Sequence, residues 1–188
     1  MIGRSYGRKL GLIRHIGYLG LGRVGWFRRW EHFNQRNVHR LVFVCDGNIC
    51  RSAYAELRAA TQGLNASSYG LLAQDGTVPP HAAIQAANAR GVDLAVHRAR
   101  SITQWVAREG DLVVAMEPKQ ARALEQRAAQ AGAQLTLAGL WSTPYRPYIQ
   151  DPYSLALEYF ETCYSIIDDS VAAIAHRIAG ARSTSGRQ

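Results

Sequence analysis

Four consecutive apolar residues, Leu41-Val42-Phe43-Val44, run without a polar interruption into a segment broken by Gly47 and Asn48. A strand with no polar alternation is buried on both faces, and such strands belong to parallel sheets that carry helices on each side. Past the break the chain starts like a helix. Ser52 stands where a cap belongs, Glu56 lies in the first turns, and the pattern runs to about Ala60. The unit reads strand, tight loop, helix.

The same alternation continues along the chain. Residues 66–71 read as a second strand, followed by a Gly/Pro loop at 76–80 and an Ala-rich helix to Arg90, stopped by Gly91. Residues 111–116 read as a third strand. Pro118 opens a helix to Ala131, stopped by Gly132, and residues 135–138 give a fourth strand. Pro144, Pro147 and Pro152 make 139–153 a loop. Beyond it Leu155, Tyr159, Cys163, Ile166, Ile167, Val171, Ile174 and Ile178 recur at helical spacing. The expected fold is α/β: a small, doubly wound, four-stranded parallel sheet with helices on both faces and its ligand crevice at the carboxyl ends of the strands. At 188 residues, one core is the default.

The loop after the first strand is therefore where chemistry is expected. Cys45-Asp46-Gly47-Asn48-Ile49-Cys50-Arg51-Ser52 places a cysteine at a strand end and an arginine six positions on, at a helix start. A cysteine and an arginine at that spacing arise easily by chance; the setting gives them meaning. Amides of a strand-to-helix loop point inward and, with the helix dipole, suit a phosphate dianion, and Arg51 adds a fork for two of its oxygens. The same positive field is expected to depress the Cys45 thiol from about 8.5 and make it a thiolate nucleophile.

Val44 through Ser52 resembles the loop of the low-molecular-weight protein tyrosine phosphatases, V-C-x-G-N-x-C-R-S, at every specified position. The resemblance extends over residues 41–178 through Ser68, His97-Arg98-Ala99-Arg100, Ala115-Met116-Glu117 and Asp151-Pro152-Tyr153. It implies a bound phosphate cradled by residues 46–51, with Cys45 attacking phosphorus, Arg51 holding the equatorial oxygens and Asp151 protonating the leaving phenol. Supporting roles are implied for Asn48, which shapes the loop through bonds to Ser52, Ser68 and His97, for Ser52 as a donor to the thiolate, and for Tyr153 as an aromatic wall. It also implies that Cys45 and Cys50 can close into a reversible disulfide. No metal or organic cofactor is implied. Gly139-Leu140-Trp141-Ser142 looks most like bacterial members, which oppose autophosphorylating tyrosine kinases in capsule or exopolysaccharide export.

Several positions depart from the family pattern. Asp46 replaces an apolar or small residue and is expected to point away from the dianion, since a carboxylate facing it would raise the thiol pKa; the alternative is a preference for substrates with a nearby cation. Tyr69 and Ser154 are likewise atypical. An arsenate reductase of this fold needs a second cysteine pair, and only Cys163, on the apolar face of the last helix, remains. A protein-arginine phosphatase favours Thr at the position of Ile49. The rival from another class is a non-catalytic phosphate-binding scaffold acting through its basic arm.

That arm holds almost all of the charge imbalance. Residues 1–40 contain nine Lys or Arg and one acid, Glu31, whereas residues 41–188 sum to zero, so the net +8 describes the N-terminus. Seven glycines between 3 and 25 oppose a stable helix, and the plain expectation is a mobile or loosely packed segment, residues 1–38, ahead of a phosphatase-like domain at 39–180 and a flexible tail at 181–188. The sharper alternative is attraction to an anionic membrane surface or an acidic partner, ahead of nucleic acid, for which a binding fold is lacking. Three cysteines do not make a disulfide framework. Charged residues also break the apolar run that a secretory signal would need. The expected location is the cytoplasm, with the inner membrane face as the peripheral option.

Overall fold

The computed structural model describes residues 2–185, with side chains through residue 181. Two helices, α1 (Ile2–Tyr6) and α2 (Lys9–Arg23), lead through short 3-10 turns into β1 (Arg40–Cys45). There follow α3 (Arg51–Thr61), β2 (Ala66–Gly70), α4 (His81–Asn88), β3 (Asp111–Ala115), α5 (Pro118–Gln130), β4 (Gln134–Leu137) and α6 (Leu157–Ser185). The four strands are parallel in the order β2-β1-β3-β4. Val44 is in register with Tyr69 on one side and Ala115 on the other. Because the chain leaves β1 towards one edge and later returns to the opposite edge, a crevice opens at the carboxyl end of β1, and the loop after it occupies that crevice.

Residues of β1 alternate between two cores. Leu41, Phe43 and Cys45 join Leu112 and Val114 under α3, α4 and α6. Val42 and Val44 face the other way, with Val113, Trp105 and the α5 residues Leu124 and Ala128. Helices therefore cover both faces of the sheet. Tyr54 of α3 and Tyr164 of α6 stack with ring centroids 3.9 Å apart and planes 3° from parallel, a contact of roughly 1 kcal/mol beyond burial. That stack fixes α3, and with it the helix start that completes the phosphate loop.

The N-terminal segment differs from expectation. It is helical and packed, not loose. Phe27 and Trp30 are buried against Ala115, Ala121 and Leu137, while Phe33 and Val38 belong to the main core. Burying large aromatic side chains contributes roughly 2–3 kcal/mol each, more than the ~1 kcal/mol that a helical glycine costs. Gly7 makes the turn between α1 and α2 at φ 73, and a Cβ there would come 2.5 Å from Leu155 Cδ1. At the other end α6 runs through Ser185, past the expected start of the tail at 181; the expectation of flexibility for residues 186–188 lies outside the described residues.

Candidate active site

Cys45 ends β1 and Arg51 begins α3. The N-cap of α3 is Cys50 and its side chain makes no capping bond, so the expectation that Ser52 caps the helix is corrected. Ser52 sits one residue inside the helix because its hydroxyl is engaged elsewhere: Ser52 Oγ lies 3.0 Å from Cys45 Sγ, and the Asn48 amide donates to that sulfur at 3.3 Å.

Asn48 is fully buried and left-handed, at φ 53, a conformation that Asn tolerates better than most residues. Its Nδ2 donates to Ser52 Oγ at 2.9 Å and Ser68 Oγ at 2.7 Å, and its Oδ1 accepts from the Arg100 amide at 2.7 Å. His97 Nε2 donates to the Asn48 carbonyl at 2.9 Å. Burial lowers the His97 pKa, which favours the neutral ring with its proton on Nε2. Beneath the loop, Ser68 Oγ donates to Glu56 Oε2 at 2.6 Å, and Glu56 pairs with Arg100. Gly70 closes this floor: a Cβ there would lie 2.6 Å from the Asp46 carbonyl oxygen and 2.9 Å from the Asn48 nitrogen.

Arg51 is fully buried. Its Nη1 donates to Glu117 Oε1 at 2.6 Å and to the Ile149 carbonyl at 2.9 Å, and its Nη2 to Asp151 Oδ2 at 2.7 Å. Nε is buried without a protein acceptor. Asp151, a hundred residues away in sequence, is thus drawn to the loop, and its Oδ1 accepts from the Tyr153 amide at 3.1 Å. Cys45, Gly47 and Cys50 floor a cavity of about 250 Å³, walled by Ile49, Leu72 and Tyr153 and edged by Asp46 and Asp151.

Burial pushes the Cys45 thiol up from its ordinary value, and the ionised Asp151 adds to this, against the pull of Arg51 and of the Ser52 bond. The expected depressed thiol is therefore not what this arrangement gives, because burial outweighs the pull of Arg51. Asp46 turns to the start of α5, where Lys119 Nζ reaches it at 2.7 Å and Gln120 Nε2 at 2.9 Å. Burial alone would raise its carboxyl, but these bonds and Arg51 outweigh burial and hold it low.

Cys50 is a free thiol beside the cavity, raised by burial and by Asp151. Cys163, on the inner face of α6, is buried in the core. Tyr69 packs on the far face of the sheet with Val42 and Val44, outside the cavity. Among the described residues, no group of three or more His, Cys, Asp or Glu is placed to hold a metal ion. Sequence reasoning assigned no site role to Glu117, Glu56 or Arg100, though it quoted all three, and passed over Leu72. Glu117 had a signal, since Glu117-Pro118 with Gln120 three residues on spells a capping box, and that box is present.

The chain matches the family model "Low molecular weight phosphotyrosine protein phosphatase" over residues 40–183. It is 34% identical over 134 residues to the low molecular weight protein-tyrosine-phosphatase Wzb of Salmonella typhi, covering 70% of this chain and 89% of that one. Among solved structures, Vibrio vulnificus Wzb in complex with benzylphosphonate is similar at a TM-score of 0.63 and 29% identity, over 74% of this chain and 98% of that one. The YwlE arginine phosphatase from Geobacillus stearothermophilus shares the fold, with a TM-score of 0.66 at 20% identity over 80% of this chain and 97% of its own.

Proposed function

Since this chain belongs to the low molecular weight phosphotyrosine protein phosphatase family, we propose that it hydrolyses phosphotyrosine in protein substrates through a cysteinyl-phosphate. One observation carries the reading: a buried cysteine and a carboxylate, Cys45 and Asp151, line one small cavity with apolar walls, and that carboxylate is paired with the buried Arg51 behind it. A binding module has no need of an acid over the leaving group, and this argues against the scaffold alternative.

In the proposed reaction Cys45 Sγ attacks phosphorus in line with the phenolate oxygen. An S–P bond forms as the P–O bond breaks, and protonated Asp151 gives its proton to the departing oxygen. The loop amides of residues 46–51 and Arg51, whose free Nε is the donor that an oxyanion would satisfy, stabilise the equatorial charge. Water then attacks the phosphocysteine: an O–P bond forms as the S–P bond breaks, Asp151 takes the proton, the Cys45 thiolate is regenerated and inorganic phosphate leaves. The reactive form, thiolate with carboxylic acid, differs from thiol with carboxylate by the position of one proton. A neutral Asp151 would remove a charge that opposes the thiolate.

Ile49, Leu72 and Tyr153 suit an aromatic ring, which supports phosphotyrosine as the substrate. The resemblance to bacterial members supports an autophosphorylating tyrosine kinase of exopolysaccharide or capsule production as the substrate. Three free thiols support a reducing, cytoplasmic compartment, and the basic N-terminus supports a place at the inner membrane face. No helix among the described residues is long and apolar enough to cross a membrane. The test is phosphate release from a phosphotyrosine peptide in buffer with chelator and reductant. Wild type is expected to turn over, and Cys45→Ser to lose at least ~10⁴-fold. Equal rates for the two proteins, or a higher kcat/KM on a phosphoarginine peptide, would overturn the proposal.

A further inference from the structure

The family match begins at residue 40, so the two N-terminal helices are unexplained by it. They are also chemically one-sided. No acid occurs before Glu31, while Arg4, Arg8, Lys9, Arg14, Arg23, Arg28 and Arg29 all do. Half of the exposed large apolar side chains among the described residues lie between positions 2 and 24: Ile2, Leu10, Ile13, Ile16, Leu21 and Val24.

Spacing and burial sort α2 into two faces. Gly11 and His15 are buried, and Tyr18 stacks on Tyr148, so this row meets the domain. On the opposite side Ile13, Ile16 and Val24 are 65%, 60% and 79% exposed, and Gly17 and Gly20 between them face open space. Lys9 begins this outer row, and Arg14 and Arg23 flank it on its two sides. An exposed aliphatic strip whose charged neighbours are all cations offers two attractions to an anionic bilayer, the strip to the acyl boundary and the cations to the headgroups. At 15 residues α2 is about 22 Å long, enough to lie on a bilayer and too short to span it. A second copy of this chain is disfavoured as the occupant, since it would bring the same uncompensated positive charge to the same face.

We propose that the outer face of α2 docks this protein on an anionic lipid bilayer. The proposal does not depend on the catalytic reading, because it uses none of the cavity residues. It also accounts for a helix with four glycines that is held by its inner face alone: the outer face gains its contacts from lipid.

The test is flotation of the full chain with vesicles of phosphatidylcholine, alone and mixed with phosphatidylglycerol, at low and high ionic strength. Binding is expected to the anionic vesicles only and to weaken with salt. Lys9→Glu with Arg23→Glu should cut the partition coefficient about tenfold or more, since each cation near an anionic surface is worth roughly fivefold. Ile13→Asp with Ile16→Asp should do the same, while both double variants keep wild-type turnover of a soluble phosphotyrosine peptide and wild-type melting. No binding to anionic vesicles would overturn the proposal, and so would equal binding to neutral ones. Capture by an acidic protein partner without vesicle binding would reassign the face to that partner. Loss of peptide turnover in wild type, with vesicle binding intact, would bear on the catalytic reading alone.

Discussion

The two halves of the site are held in opposite ways. Residues 45–52 are contiguous, and almost every polar group that shapes them is buried: Asn48 is bonded to Ser52, Ser68, Arg100 and His97, and Glu56 lies beneath. The loop of residues 143–155 is half-exposed and joins the site through Arg51, which pairs with Asp151 and donates to the Ile149 carbonyl. Its outer side is braced by the N-terminal segment. Arg146 Nη1 donates to the Ser5 carbonyl at 2.7 Å, Arg14 Nη1 to Tyr148 Oη at 3.0 Å, and Arg8 Nη2 to Ser154 Oγ at 3.1 Å. The half that would bind phosphate is self-contained. The half that would deliver a proton leans on residues outside the family match.

The difference breaks most sharply at Asp151. Asp151→Asn keeps the shape of the side chain and removes the proton donor, so kcat on a phosphotyrosine peptide should fall by ~10²–10⁴-fold. With an ester whose leaving group is already a good one, such as p-nitrophenyl phosphate, the loss should be much smaller. An equal loss on both esters would mean that Asp151 positions Arg51 and donates no proton.

Next in size is the self-contained half. Asn48→Ala leaves the Arg100 amide without its acceptor and takes one bond each from the Ser52 and Ser68 hydroxyls, at a left-handed position that Ala disfavours. Unsatisfied buried groups cost about 1–3 kcal/mol each, and partial relaxation should leave a net loss near ~3 kcal/mol. In a chain of this size that lowers Tm by roughly 10 °C, readable by thermal denaturation followed by circular dichroism. A change of only a degree or two would show that the loop is held by its backbone alone.

How much of this was legible in the sequence tracks the same division. The loop could be read because its parts are local: an unbroken apolar run fixes a buried strand, Gly47 and Asn48 end it, and Arg51 must then start a helix. All four strands and the helices that join them lie within two residues of where periodicity put them, Ser52 being two positions past the residue that caps its helix. The roles of Arg51 and Glu117 in gathering the acid loop could not be read in this way, since their partners lie 66 to 100 residues apart. The N-terminus misled because glycine propensity was weighed without its partners. Phe27 and Trp30 find a pocket over β3, β4 and α5 that no local pattern announces. The direction of the Cys45 shift misled for a related reason, as burial in the assembled core, which no local pattern announces, outweighs the arginine expected to lower its pKa.

The smallest effect separates a braced loop from a merely covered one. Tyr148 Oη accepts from Arg14 and donates to Gln150 Oε1 at 2.7 Å, and Gln150 Nε2 donates to the Asp151 carbonyl at 3.3 Å. A chain of bonds thus runs from α2 to the backbone of the proposed acid. Tyr148→Phe keeps the ring against Tyr18 and removes the hydroxyl, so the fold should hold while Asp151 gains freedom. Each such bond is worth about 0.5–1.5 kcal/mol, which predicts a loss in kcat of roughly two- to tenfold. Arg14→Ala should give a similar loss, and the double variant should lose little more than either single one, because both changes break the same chain. The inhibition constant for inorganic phosphate should stay at its wild-type value, since the phosphate loop is untouched. A parallel rise in that constant would mean that the two halves are not held independently, and additive losses in kcat would mean that Arg14 and Tyr148 reach Asp151 by separate routes.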